Sequence, residues 1–79
     1  MDITSAQCRA ARGLLNITQQ DLAERSRVSK RTVVNFEQAE RQPVPATSEA
    51  LRRALEGAGV EFIPENGGGA GVRLSKGTL

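Results

Sequence analysis

The chain of 79 residues has no histidine and only one cysteine, Cys8. These absences exclude whole classes of chemistry. A single cysteine cannot close an internal disulfide, a Cys-rich zinc site cannot be assembled, and no imidazole is present to serve as metal ligand or general base. No paired-carboxylate spacing appears either, so an enzyme is the least supported reading, and no cofactor or metal is expected. Long apolar runs are lacking too. The N-terminus has no continuous apolar stretch of the signal-peptide kind, and nothing is long enough to span a bilayer, which leads us to expect a cytoplasmic protein without a membrane partner. The charge surplus is small: 11 Lys and Arg against 9 Asp and Glu give +2, too little to argue for a polyanionic partner by itself. A chain this short buries a modest core, so a partner subunit would add stability and a homodimer is expected on size alone.

What is present is concentrated between Thr18 and Glu37, TQQDLAERSRVSKRTVVNFE. Thr18 followed three residues later by Asp21 has the capping-box form, so a helix starts here. Leu22 and Ala23 supply its inward face, Arg27-Val28 interrupts it, and Ser29 can cap a second helix in which Val33 and Phe36 recur at i and i+3. Ala23 is the only residue at the crossing small enough for the two backbones to approach. Arg25, Arg27, Lys30 and Arg31 gather across the turn, and no acidic residue follows until Glu37. Two capped helices around a short break, with a basic turn, point to a helix-turn-helix and to DNA phosphates as the partner.

The rest of the chain completes a small helical unit. A first helix is expected from Ser5 to Leu15, with Cys8, Ala11 and Leu15 inward and Arg9 and Arg12 on polar faces; Asn16 ends it. Cys8 on that face reads as a small buried hydrophobe rather than a redox sensor. Residues 40–44, with Pro43, form a loop, and a fourth helix begins near Pro45 and runs to about Glu56 with Ala50, Leu51, Ala54 and Leu55 inward. Arg52 and Arg53 are expected on its solvated face, and Gly57 and Gly59 stop it. The fold class is therefore mainly α: a four-helix helix-turn-helix domain over residues 1–58, followed by an extension over 59–79.

In that extension the period changes to two. Val60, Phe62, Val72 and Leu74 alternate around a Gly-rich connection, as a short C-terminal strand or hairpin would. An isolated pair is marginal in water, so it must either pack on the first helix or add strands across a two-fold axis. The apolar residues Ala10 and Leu14, off the main inward face of the first helix, offer a strip for it to cover, and a dimer built through Val60, Phe62, Val72 and Leu74 is expected. Gly67-Gly68-Gly69 lacks the following Lys-Ser/Thr and helix of a phosphate loop.

Gln19, Ala23, Val28, Ser29, Val33, Phe36 and Glu37 together resemble the repressor and Cro type of helix-turn-helix, the Xre-like family of bacterial and phage regulators, over about Gln7 to Leu55. The resemblance implies a transcription regulator that reads double-stranded DNA, with the second motif helix in the major groove and two half-sites of an imperfect palindrome bound by a homodimer. It places Lys30, Arg31 and Asn35 against base edges, where arginine and lysine suit guanine and asparagine suits adenine. Val34 would touch a thymine methyl or pack on the fourth helix. Phosphate contacts fall to Gln19, at a positively polarised helix end, and to Arg27, Ser29, Thr32, Arg41 and Gln42. Arg12 and Glu37 align with a pair that bridges the first and third helices in related repressors. One position departs: the family usually has glycine where Arg27 stands, and a left-handed side chain there costs about 1 kcal/mol. A protein-interaction adapter such as an antitoxin or anti-activator on the same fold is the alternative.

Overall fold

The computed structural model describes residues 2–38 and 44–75. Four helices, α1 (Ser5–Leu15), α2 (Gln19–Ser26), α3 (Lys30–Gln38) and α4 (Pro45–Gly57), precede two strands, β1 (Val60–Ile63) and β2 (Gly71–Leu74). Local chemistry sets most of these boundaries. Thr4 caps α1 through a capping box with Gln7, and the helix closes where Asn16 turns left-handed at φ 57°. Thr18 and Asp21 form the expected box on α2, and the hydrogen bonds from Thr18 hold the Asp21 carboxyl below its usual value. Ser29 Oγ accepts the Thr32 N–H at 3.1 Å at the start of α3. Helix α4 begins on Pro45 without a side-chain cap and gives way to Gly59, whose φ of 113° suits glycine.

Each helix contributes one face to a common core. Cys8, Ala11, Leu22, Val33, Leu51 and Leu55 are fully buried, and Ala23 lies at the meeting of α2 and α3 with 5% exposure. Ile3, ahead of α1, also belongs to this core, a contribution that the helical pattern did not announce. Arg52 lies with Arg53, Glu49 and Glu56 on the outward face of α4 but is partly covered by its ion pairs. It is one-fifth exposed and holds Glu49 and Glu56 at 2.7 and 2.8 Å, because its neighbours at i−3 and i+4 are both acidic.

The extension pairs with itself. β1 and β2 are antiparallel, with Val60 opposite Leu74 and Phe62 opposite Val72. Val60 and Phe62 are 1% and 7% exposed within one chain. Both belong to the core of the single chain, so their side chains are used within the protomer. Val72 packs partly against that core, whereas Leu74 remains 41% exposed. At about 1.5–3 kcal/mol for each buried Val or Phe side chain, the hairpin is a structural part of the domain rather than an appendage. Gln7 fastens it: the side-chain amide of this buried residue donates to the carbonyls of Ile63 and Gly71 at 3.2 and 2.9 Å.

The turn between α2 and α3 carries the departure at Arg27. Its φ is 61°, in the left-handed region where a β-carbon is disfavoured, and its side chain is exposed. Arg27→Gly is therefore expected to raise folding stability by up to about 1 kcal/mol in denaturant melts. Equal or lower stability would show that the turn is not strained.

Candidate nucleic-acid interface

Helix α3 buries Val33, Phe36 and Glu37 and turns its other side outward. At about 100° per residue, Lys30, Arg31, Val34 and Asn35 share that side. Lys30, Arg31 and Asn35 are exposed, and Val34 is half-buried at the edge. Gln38, exposed one turn beyond Val34 and Asn35, extends the same row. The apolar spacing of Val33 and Phe36 is the signal in the sequence that puts Gln38 on the outward side as well.

Charge divides the arginines into two groups. Arg12, Arg52, Arg53 and Arg73 each hold a carboxylate, and Arg9 donates to the Glu37 carbonyl. Arg25 lies one turn after Asp21 and helps to keep its carboxyl ionised. Arg27, Lys30 and Arg31 have no ion-pair partner among the described residues. Two of these three stand in the first turn of α3, where a cation opposes the helix dipole at about 0.3–1 kcal/mol each and no acidic residue offsets it. An uncompensated cationic strip at the start of an exposed helix is arranged for an external anion.

The hydroxyls beside it are organised for capping. Ser29 Oγ and Thr32 Oγ1 lie 2.8 Å apart and share one proton, which leaves one hydroxyl proton between them to donate outward. Gln19 is turned inward. Its amide donates to Glu37 Oε1 at 2.9 Å, so the groups it presents outward are its backbone N–H, in the open first turn of α2, and the other amide proton. Arg41 and Gln42 lie outside the described residues.

A model of a helix-turn-helix family matches residues 9–62, a span that contains the whole bihelical motif, α4 and most of β1. The chain belongs to the Xre-like helix-turn-helix family. No curated protein matches it. The family is one of DNA-binding regulators, and this Xre-like chain carries the DNA-binding fold with its motif helices complete. No helix among the described residues is long and apolar enough to cross a membrane.

Behind the exposed row sits a buried carboxylate. Glu37 receives Arg12 Nε at 2.6 Å and Arg12 Nη2 at 2.8 Å, together with Gln19 Nε2 and, at 3.3 Å, the thiol of Cys8. Burial alone would raise its pKa, but the hydrogen bonds from Arg12, Gln19 and Cys8 outweigh it and hold the carboxyl below the usual range. Burial, with Glu37 adjacent, pushes the Cys8 thiol up and keeps it a protonated donor. The sequence read Cys8 as a buried hydrophobe; it is buried, and it is also a polar partner.

The sign of the Glu37 shift fixes a pH dependence. A depressed carboxyl pKa stabilises the fold fully above the unfolded value, about 4.3, and that contribution is lost as pH falls through the lower folded value. Thermal melts should be nearly flat from about pH 7 to about pH 5 and then decline. Glu37→Gln should be less stable at neutral pH with a shallower acid decline, retaining only the slope from carboxyls such as Asp21, Glu49 and Glu61. An unchanged acid slope in that variant would remove Glu37 from the linkage.

Proposed function

We propose that the protein is a sequence-specific transcription regulator that binds double-stranded DNA as a homodimer, with α3 in the major groove of each half of an imperfect palindrome. The observation that carries this reading is the row of Arg27, Lys30 and Arg31 at the exposed start of α3, without an ion-pair partner among the described residues. Arg31 and Lys30 would donate to guanine O6 and N7, Asn35 would pair with adenine N6 and N7, and Val34 would meet a thymine methyl. Arg27, the proton left on the Ser29 and Thr32 hydroxyls, and the first-turn N–H groups of α2 at Gln19 would hold phosphates and fix the docking angle. Arg41 and Gln42 remain proposed phosphate contacts on sequence grounds.

The dimer contact is proposed along Val72, Leu74 and the neighbouring face of α1. Leu14 at 43% and Leu74 at 41% exposure are the apolar side chains left over there, and α1 lies against β2. Two-fold pairing in this region would space two recognition helices by about 34 Å, one turn of DNA, as a palindrome requires.

Base and phosphate roles separate in measurement. Arg31→Ala should weaken the preferred site by about 1–3 kcal/mol and relax selectivity at one base pair. Arg27→Ala should weaken all sites nearly equally and lower the salt dependence by about one released ion. Salt-titrated binding to sites selected from random DNA tests both. Weak, salt-insensitive binding without a selected motif would overturn the reading.

A further inference from the structure

Ser5, Cys8, Arg9 and Arg12 follow the spacing i, i+3, i+4, i+7, which places them along one side of α1. All four side chains bond to the same short segment of α3. Ser5 Oγ donates to the Phe36 carbonyl at 2.7 Å, and Arg9 Nη1 donates to the Glu37 carbonyl. Cys8 and Arg12 donate to the Glu37 carboxylate, Arg12 through two nitrogens. A helix leaves its last carbonyls without intrahelical partners, and here two of them are met by another helix.

We propose that α1 acts as an external C-terminal clamp for α3, and that Ser5 and Arg9 are positioning residues for base selectivity although they lie at the end of α3 opposite Lys30. This inference rests on the DNA-binding reading for its consequence, but not for the clamp itself. Helix α3 has nine residues, too few for an isolated helix to persist, and no basic residue of its own in its last turn. Its first turn carries Lys30 and Arg31, whose sign opposes the dipole there. The helix is thus charged against its own field at the DNA end. The guanidinium groups of Arg9 and Arg12 supply the favourable cations at the other end, from α1.

The geometry makes the clamp a lever. Phe36 lies six positions after Lys30, about 9 Å along the axis, so a tilt of about 6° at the clamp displaces the first turn by about 1 Å. Base-edge hydrogen bonds have a distance window of about half an ångström, whereas phosphate attraction changes little over that displacement. Loosening the clamp therefore lowers discrimination between sites more than it lowers affinity for DNA in general.

The test uses the full chain with Arg9→Met, Arg9→Lys and Ser5→Ala. Without DNA, amide hydrogen exchange in the last turn of α3 should accelerate in Arg9→Met while α2 and α4 keep their protection. Unchanged exchange in α3 would overturn the clamp, whatever the DNA result. With DNA, the ratio of affinities for a preferred and a singly mismatched site should fall about tenfold in Arg9→Met, with non-specific affinity kept within about twofold. Arg9→Lys should recover part of the ratio, and Ser5→Ala, the milder change, should lose part of it while staying folded. A uniform drop at every site would make Arg9 a phosphate contact and overturn the positioning role. A wild-type chain that discriminates no sites, with α3 exchange nonetheless accelerated in Arg9→Met, would overturn the DNA reading and leave the clamp standing.

Discussion

A buried carboxylate on the recognition helix is the constraint on which the rest of this structure depends. Removing an ion from water costs several kcal/mol even after relaxation, and only good geometry with the remaining lone pairs satisfied offsets it. Glu37, with a side chain 2% exposed, meets that condition through Arg12, Gln19 and Cys8. Those donors come from α1 and α2, so the carboxylate can be satisfied only when three helices stand in one arrangement. Such a group contributes less to net stability than to uniqueness, because every alternative arrangement leaves a charge unpaired in the interior.

The same arrangement sorts the charges of the molecule. Arginines on α1, α4 and the hairpin are bound to carboxylates or carbonyls, which among the described residues leaves the cationic surface to the motif turn and the start of α3. A net charge of only +2 therefore says little about the local field. Strain falls in the same place. Arg27 keeps a side chain at a left-handed position where glycine would be easier, and Lys30 and Arg31 stand where a helix favours anions. A local rule broken without compensation among the described residues is the mark expected of a binding surface.

Features governed by residues within one turn of each other were legible in the sequence. The ends of α1, the Thr18 and Asp21 box and the proline start of α4 depend on short-range chemistry and stand where the residues place them, whereas the left-handed Arg27 was expected from the family resemblance. The Arg12 and Glu37 bridge came from the family resemblance, since side chains 25 positions apart carry no local signal. The hairpin was only half legible. Alternation identifies strands but not the chain with which they pair, so packing on the first helix and pairing across a two-fold axis both stood open, and within the chain Val60 and Phe62 join the core. Gln19 turned inward, Cys8 as a donor and Ser5 on the Phe36 carbonyl were hidden for a common reason: each depends on how α1 and α2 meet α3. The i, i+3, i+4, i+7 spacing of Ser5, Cys8, Arg9 and Arg12 was the one available hint.

A double-mutant cycle on Arg12→Met and Glu37→Gln, read by denaturant melts at neutral pH, tests the central role of the buried carboxylate most directly. Arg12→Met, which leaves a buried charge without its main partner, should cost about 3 kcal/mol or more. The double variant should be less destabilised than the sum of the singles, with a coupling of about 1–3 kcal/mol. Additivity within about 0.5 kcal/mol would contradict the account, because it would mean that Glu37 does not depend on Arg12 to remain buried.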